Sequence, residues 1–142
     1  MEQRVVEFYT HWVQEHYGCE VYLIDHPHQI NGFVEYRNEG HIIYILADTN
    51  KLEQDVFLDI LAHELGHVLY NQEMLDNGMS YSEIVDRTQV KLSCFQQLLD
   101  QRIITNEEYT RLYDSIEEEW YSNQKKDEIL KMLKAAVGMD PI

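Results

Sequence analysis

Apolar residues recur along this chain with two distinct periods. Over residues 2–17, Val5, Phe8, Tyr9, Trp12, Val13 and His16 fall at steps of three and four, and Gly18 stands where a helix usually stops. The spacing predicts an opening amphipathic helix. Residues 19–24 are short, β-prone and closed by Asp25-His26-Pro27-His28, where proline ends any ladder. Two further runs, 32–37 and 41–47, flank Asn38-Glu39-Gly40, a turn with glycine where positive φ is easiest. A β-hairpin is expected there, and with the first run it makes a small, mostly antiparallel sheet of three strands.

The rest of the chain reads as helix. Asp48-Thr49-Asn50 offers capping side chains, and Asn50 with Glu53 resembles a capping box for the long apolar run over 56–70. Wound at about 100° per residue, that run puts Phe57, Leu58, Leu61, Leu65, Val68 and Leu69 on one broad arc. His63 and His67 fall together on the other side, with Val56 and Ile60 beside them and Glu64 at the edge between the two faces. Such a helix is buried on more than one side. Gly66, which costs about 1 kcal/mol against alanine in a helix interior, implies that something packs close, a strand or a bound backbone.

A polar connection over 71–80 contains the turn signal Asn77-Gly78. A second long helix follows over 81–100, with Ile84, Thr88, Leu92, Phe95 and Leu99 as its stripe. Thr105-Asn106-Glu107-Glu108 matches a capping box and opens a helix with apolar positions Tyr109, Leu112, Tyr113, Ile116 and Trp120. A last helical segment carries Ile129, Leu130, Met132, Leu133 and Val137 and ends at Gly138, with Pro141 beyond. The class is therefore α+β in a single domain over 1–142, a core over 1–100 and a C-terminal helical extension over 101–142.

Composition narrows the setting. No apolar run is long enough to cross a bilayer and the N-terminus lacks a signal-peptide pattern, so a cytoplasmic protein is expected. Cys19 and Cys94 stand far apart without a CxxC pattern, which argues for two reduced thiols. The formal charge of -15 speaks against direct contact with nucleic acid or an anionic membrane. It suits solubility, or attraction to a basic protein.

The candidate chemistry lies in His63-Glu64-Leu65-Gly66-His67. Histidines four apart on a helix reach one metal ion, and the adjacent glutamate leans over the same site, the spacing of a zinc hydrolase. A catalytic zinc takes three protein ligands, lowers the pKa of a water towards 7 and polarises a carbonyl. Glu64 would be the general base, passing the proton to the leaving amine. Candidates for the third ligand are Glu73, Asp76, Glu83 and Asp86. A ligand on the second helix of an antiparallel pair meets the first without a sharp bend, which puts Glu83 first and Asp86 second. Ser80-Tyr81-Ser82-Glu83 also fits a capping box, a structural use of the same glutamate. His26 and His28 are expected in a loop bordering a cleft, and His11 and His16, five apart, on different faces of the first helix.

The order of elements over residues 21–99 resembles the ImmA/IrrE family of metallopeptidases. The resemblance rests on Ile30-Asn31-Gly32-Phe33, a hairpin ending in Ile43-Tyr44-Ile45, then Ile60-Leu61-Ala62-His63-Glu64-Leu65-Gly66-His67-Val68-Leu69-Tyr70 and a second helix. It implies a zincin-like core, Zn2+ on His63 and His67, and Glu64 as catalytic base. It further implies a bacterial or phage setting and a protein substrate, a transcriptional repressor. The family's third ligand opens a pattern like E-x-x-A-N; Glu83-Ile84-Val85-Asp86-Arg87 keeps the glutamate and replaces the alanine and asparagine. The alternative is a zincin-like module that sequesters a regulator through its acidic surface without cutting it.

Overall fold

The structure is a computed structural model that describes residues 1–38 and 40–139, with the backbone alone for 137–139. Helix α1 (Gln3–Tyr17) is followed by strands β1 (Glu20–Asp25), β2 (Asn31–Arg37) and β3 (Gly40–Ala47), then helices α2 (Gln54–Asp76), α3 (Tyr81–Asp100), α4 (Asn106–Ser115) and α5 (Glu117–Met139). The α+β class holds.

Period-two patterning decides the sheet. In β3, His41, Ile43, Ile45 and Ala47 are buried and alternate with half-exposed partners, the pattern of a strand packed on one face. This most apolar strand takes the centre, giving the order β1-β3-β2. The hairpin β2–β3 is antiparallel as expected, with Gly32 opposite Ile45 and Val34 opposite Ile43. β1 lies on the far side of β3 and runs parallel to it, Val21 beside Ile43 and Leu23 beside Ile45, so the sheet is mixed. The segment between β1 and β2 carries the chain past the end of β3, which a hairpin between the first two strands would not require. Asn38 takes the left-handed conformation of the turn, at φ 53, in place of Gly40; Glu39 lies outside the described residues.

The helices differ from expectation mainly at their ends. Gly18 closes α1 in the left-handed region, φ 68, its N–H donating to the Gln14 carbonyl. Glu53, without a side-chain cap, precedes α2, and Asp48 turns to accept from the Asn50 N–H instead, so no capping box forms with Asn50. Asn71, Gln72 and Glu73 continue α2, and Asn71 is buried; the break comes at Asn77-Gly78. The helix opened by the Thr105 capping box stops at Ser115 rather than running to Trp120. Ile116 is extended there, at ψ 133, and buries its side chain, and α5 starts afresh at Glu117.

The core lies between the sheet and α2. Tyr9 and Val13 of α1, Ile43 and Ile45 of β3, and Phe57, Leu61 and Leu65 of α2 are fully enclosed. Ile129 and Leu133 of α5 belong to the same cluster, so the C-terminal helix is part of the core rather than an extension. Its approach to α2 depends on Gly66: a Cβ there would sit 2.6 Å from Ser122 Oγ and 2.8 Å from Ser122 Cα. A helix, neither a strand nor a substrate, is what packs there.

Gly66→Ala therefore pits a helix-propensity gain of about 1 kcal/mol against a clash with backbone. Overpacking a filled core costs about 1–3 kcal/mol. We expect a lower urea midpoint for the variant, measured by circular dichroism. An equal or higher midpoint would mean that α5 can ride outward freely.

Candidate metal centre

Four-residue spacing on α2 brings the rings of His63 and His67 together edge to face and leaves their Nε2 atoms 3.2 Å apart. The crossing at Gly66 brings the first turn of α5 over this pair. Glu118, Glu119 and Ser122, at steps of three and four, share the face of α5 that meets α2. Glu119 sends Oε1 to 3.3 Å from His67 Nε2 and Oε2 to 3.6 Å from His63 Nε2. One donor atom from each of His63, His67 and Glu119 lies within 4.8 Å of the others.

Those separations can be set against a tetrahedral site. Metal–ligand distances of about 2.0–2.1 Å, typical for zinc with nitrogen and oxygen donors, put neighbouring donors about 3.3–3.4 Å apart. The 3.2 Å between the two Nε2 atoms and the 3.3 Å from His67 Nε2 to Glu119 Oε1 lie near that edge, while His63 Nε2 faces the other carboxylate oxygen, Oε2, at 3.6 Å, so the carboxylate straddles the pair. The donor set fits a divalent cation of borderline softness.

Outer partners orient both imidazoles. His67 Nδ1 donates to Glu118 Oε1 at 2.9 Å, a carboxylate–histidine pair that leaves Nε2 facing the site. Ser122 Oγ donates to the His63 carbonyl at 2.7 Å, and the same oxygen can accept from His63 Nδ1 at 3.4 Å, again freeing Nε2. Glu118 in turn accepts from Thr88 Oγ1 of α3 at 2.9 Å, and Glu119 from the Tyr113 hydroxyl of α4 at 3.2 Å.

Electrostatics follow from the crowding of these groups. Burial opposes charge on His67, but its hydrogen bonds to Glu118 and Glu119 outweigh burial and push its pKa up to about 10. Burial and the neighbouring His67 lower that of His63. Glu119 is pushed up by burial and, more strongly, down by its hydrogen bond to His67 and by the charges of both histidines, leaving it below its ordinary value. Without a metal, a proton on His67 thus occupies the place between the carboxylates. Glu64 is buried beside this cluster; burial raises its carboxyl to about 7, His67 opposing and Glu119 and Glu118 adding to the rise. Strand β2 runs close over it, since a Cβ on Gly32 would meet Ile60 Cγ2 at 2.8 Å and Glu64 Cγ at 2.9 Å.

The expected residues divide accordingly. His63 and His67 meet as their spacing predicts, Glu64 lies buried beside them, and the carboxylate brought to the pair is Glu119 of α5, not Glu83 of α3. Glu83 is exposed at the start of α3, where its N–H donates to Ser80 Oγ and its carboxylate accepts from the same hydroxyl. Ser80 is the cap, and the reciprocal bond of a capping box, from the Ser80 N–H to the Glu83 carboxylate, is replaced by one from the Ser80 hydroxyl. Asp86, Glu73 and Asp76 are exposed and outside the cluster. His26 and His28 sit together in the loop after β1, linked by the His28 N–H to His26 Nδ1. On α1, His11 pairs with Glu15, while His16 stacks on Trp12 and bonds its carbonyl. Cys19 is buried and Cys94 exposed, and both are free thiols. The sequence did carry a hint of Glu118 and Glu119: Gly66 asks for a close neighbour, and Ser122 is a small residue in register with both glutamates.

No family model matches the chain, and no match was found to a curated protein or to a solved structure.

The geometry predicts which carboxylate matters. His63→Ala, His67→Ala and Glu119→Ala should each weaken zinc binding more than about 100-fold, beyond the 10–100-fold typical of outer partners, as read by competition with a chromophoric chelator. Glu83→Ala should bind as the unaltered protein does. A large loss in Glu83→Ala with none in Glu119→Ala would reverse the assignment.

Proposed function

We propose that the protein is a zinc-dependent endopeptidase that hydrolyses a peptide bond in a specific protein. The observation that carries this reading is the pairing of a three-residue donor set, one atom from each of His63, His67 and Glu119 within 4.8 Å of the others, with a buried glutamate, Glu64, beside it. A transcriptional repressor is the substrate that the resemblance to ImmA/IrrE metallopeptidases implies, in a bacterial or phage cytoplasm. Among the described helices none is long and apolar enough to cross a membrane.

His63, His67 and Glu119 would hold the zinc ion, which would supply a Lewis acid for the scissile carbonyl and acidify water. Glu64 would accept the proton of the attacking water and return it to the departing amine. A carboxyl held near neutrality by burial suits both halves of the transfer. β2 is an edge of the sheet and runs past Glu64 at Gly32, so an extended substrate segment would align along its outer edge, displacing the bond that the Gly32 N–H donates to Asn31 Oδ1. The net charge of -15 favours a basic segment there. The rival reading, a module that sequesters a regulator, uses the same charge but has no role for a proton acceptor at Glu64.

Glu64→Gln separates the two. It should bind zinc with unaltered affinity, retain its protein partner, and cleave that partner about 10²–10⁴-fold more slowly, with products read by mass spectrometry. Cleavage by Glu64→Gln at the full rate would refute the mechanism, and a partner bound but never cut by the zinc-loaded unaltered protein would support the rival.

A further inference from the structure

Helices α3 and α4 are weakly built into the molecule. Ile84 is the buried residue of α3, and no residue of α4 is buried. Yet each helix sends one hydroxyl to one of the two α5 glutamates at the centre. Thr88 Oγ1 donates to Glu118 Oε2 at 2.9 Å, while the other oxygen of that carboxylate holds His67 Nδ1 at 2.9 Å. The Tyr113 hydroxyl donates to Glu119 Oε1 at 3.2 Å, the same oxygen that faces His67 Nε2. Neither bond is the main anchor of its helix: Thr88 is half-buried one turn beyond Ile84, whose burial anchors α3, and α4 has its own capping box. A carboxylate free to rotate loses its aim at an imidazole. One fixed at both oxygens does not.

We propose that Thr88 and Tyr113 are positioning residues of the metal centre, so that the α3–α4 pair sets the affinity for the cation through two hydroxyl–carboxylate bonds. This rests on the reading of His63, His67 and Glu119 as metal ligands. It has a reciprocal consequence, since whatever a docked α3–α4 pair adds to metal affinity, bound metal returns as protection of that pair. A protein that lifted the pair away would weaken the centre without touching a ligand.

The test uses the whole chain and zinc alone. Thr88→Val and Tyr113→Phe should each lower zinc affinity about 10–100-fold, with the thermal midpoint of the metal-free protein unchanged. Thr88→Ser should restore binding, and Thr110→Val, which loses only a bond to the Asn106 carbonyl, should bind normally. Zinc should also slow amide hydrogen exchange in α3 and α4 more than in α1. Unaltered affinity in both variants overturns the proposal if His63→Ala still abolishes binding. If His63→Ala also binds normally, the metal centre itself falls and the proposal with it.

Discussion

The fold turns on one missing side chain. Because residue 66 is glycine, the backbone of α5 at Ser122 can lie directly against α2, where any Cβ would come within 3 Å of it. From that contact the rest follows. Ile129 and Leu133 reach the core shared with the sheet, Lys126 pairs with Asp59 at 2.8 Å, and Tyr121 packs on Tyr70. At the near end of the same helix, Glu118 and Glu119 come down over His63 and His67. Apolar burial holds the crossing together, and the crossing aims the polar groups.

Putting two carboxylates and two imidazoles into a half-buried space is costly unless each group finds a partner. Here they pair with one another. Glu118 takes Nδ1 of His67 and Glu119 faces both Nε2 atoms, so the metal-free centre balances on one imidazolium held by two carboxylates. A divalent cation held there would put more charge at the same point, drawing on donors of His63, His67 and Glu119 that lie within 4.8 Å of one another. Glu64 stands outside this balance. Among the described residues its carboxylate enters no hydrogen bond or ion pair, and burial raises its pKa to about 7, the range a proton carrier needs.

How much of this was legible depends on range along the chain. The helix boundaries near Gly18, Ser80 and Thr105 are local chemistry, and they were readable for that reason, whereas α2 runs on past Tyr70 through polar residues expected to form a connection, as far as the turn at Asn77-Gly78. The pair His63 and His67 was readable too, because four-residue spacing is enough to bring the rings together. The parallel pairing of β1 was not, since short apolar strands state which face they bury but not which neighbour they take. The break at Ile116 was hidden because Ile116 and Trp120 continue the helical period of α4; burial of Ile116 overrides that period. Glu119 lies 52 residues beyond His67, and no local pattern carries it there. Glu83 fitted the geometry of an antiparallel helix pair, but the partner packed on α2 is α5. Gly66 marked where a neighbour had to be, and what it could not say was which one.

The central claim is that Glu119 completes a cation site with His63 and His67. Crystals soaked in zinc and measured on both sides of the zinc absorption edge test it directly, because anomalous scattering locates the ion independently of the refined protein atoms. The account predicts one strong peak about 2.0–2.2 Å from His63 Nε2, His67 Nε2 and a Glu119 carboxylate oxygen. A peak coordinated by Glu83, or fully loaded crystals with no peak between α2 and α5, would contradict it.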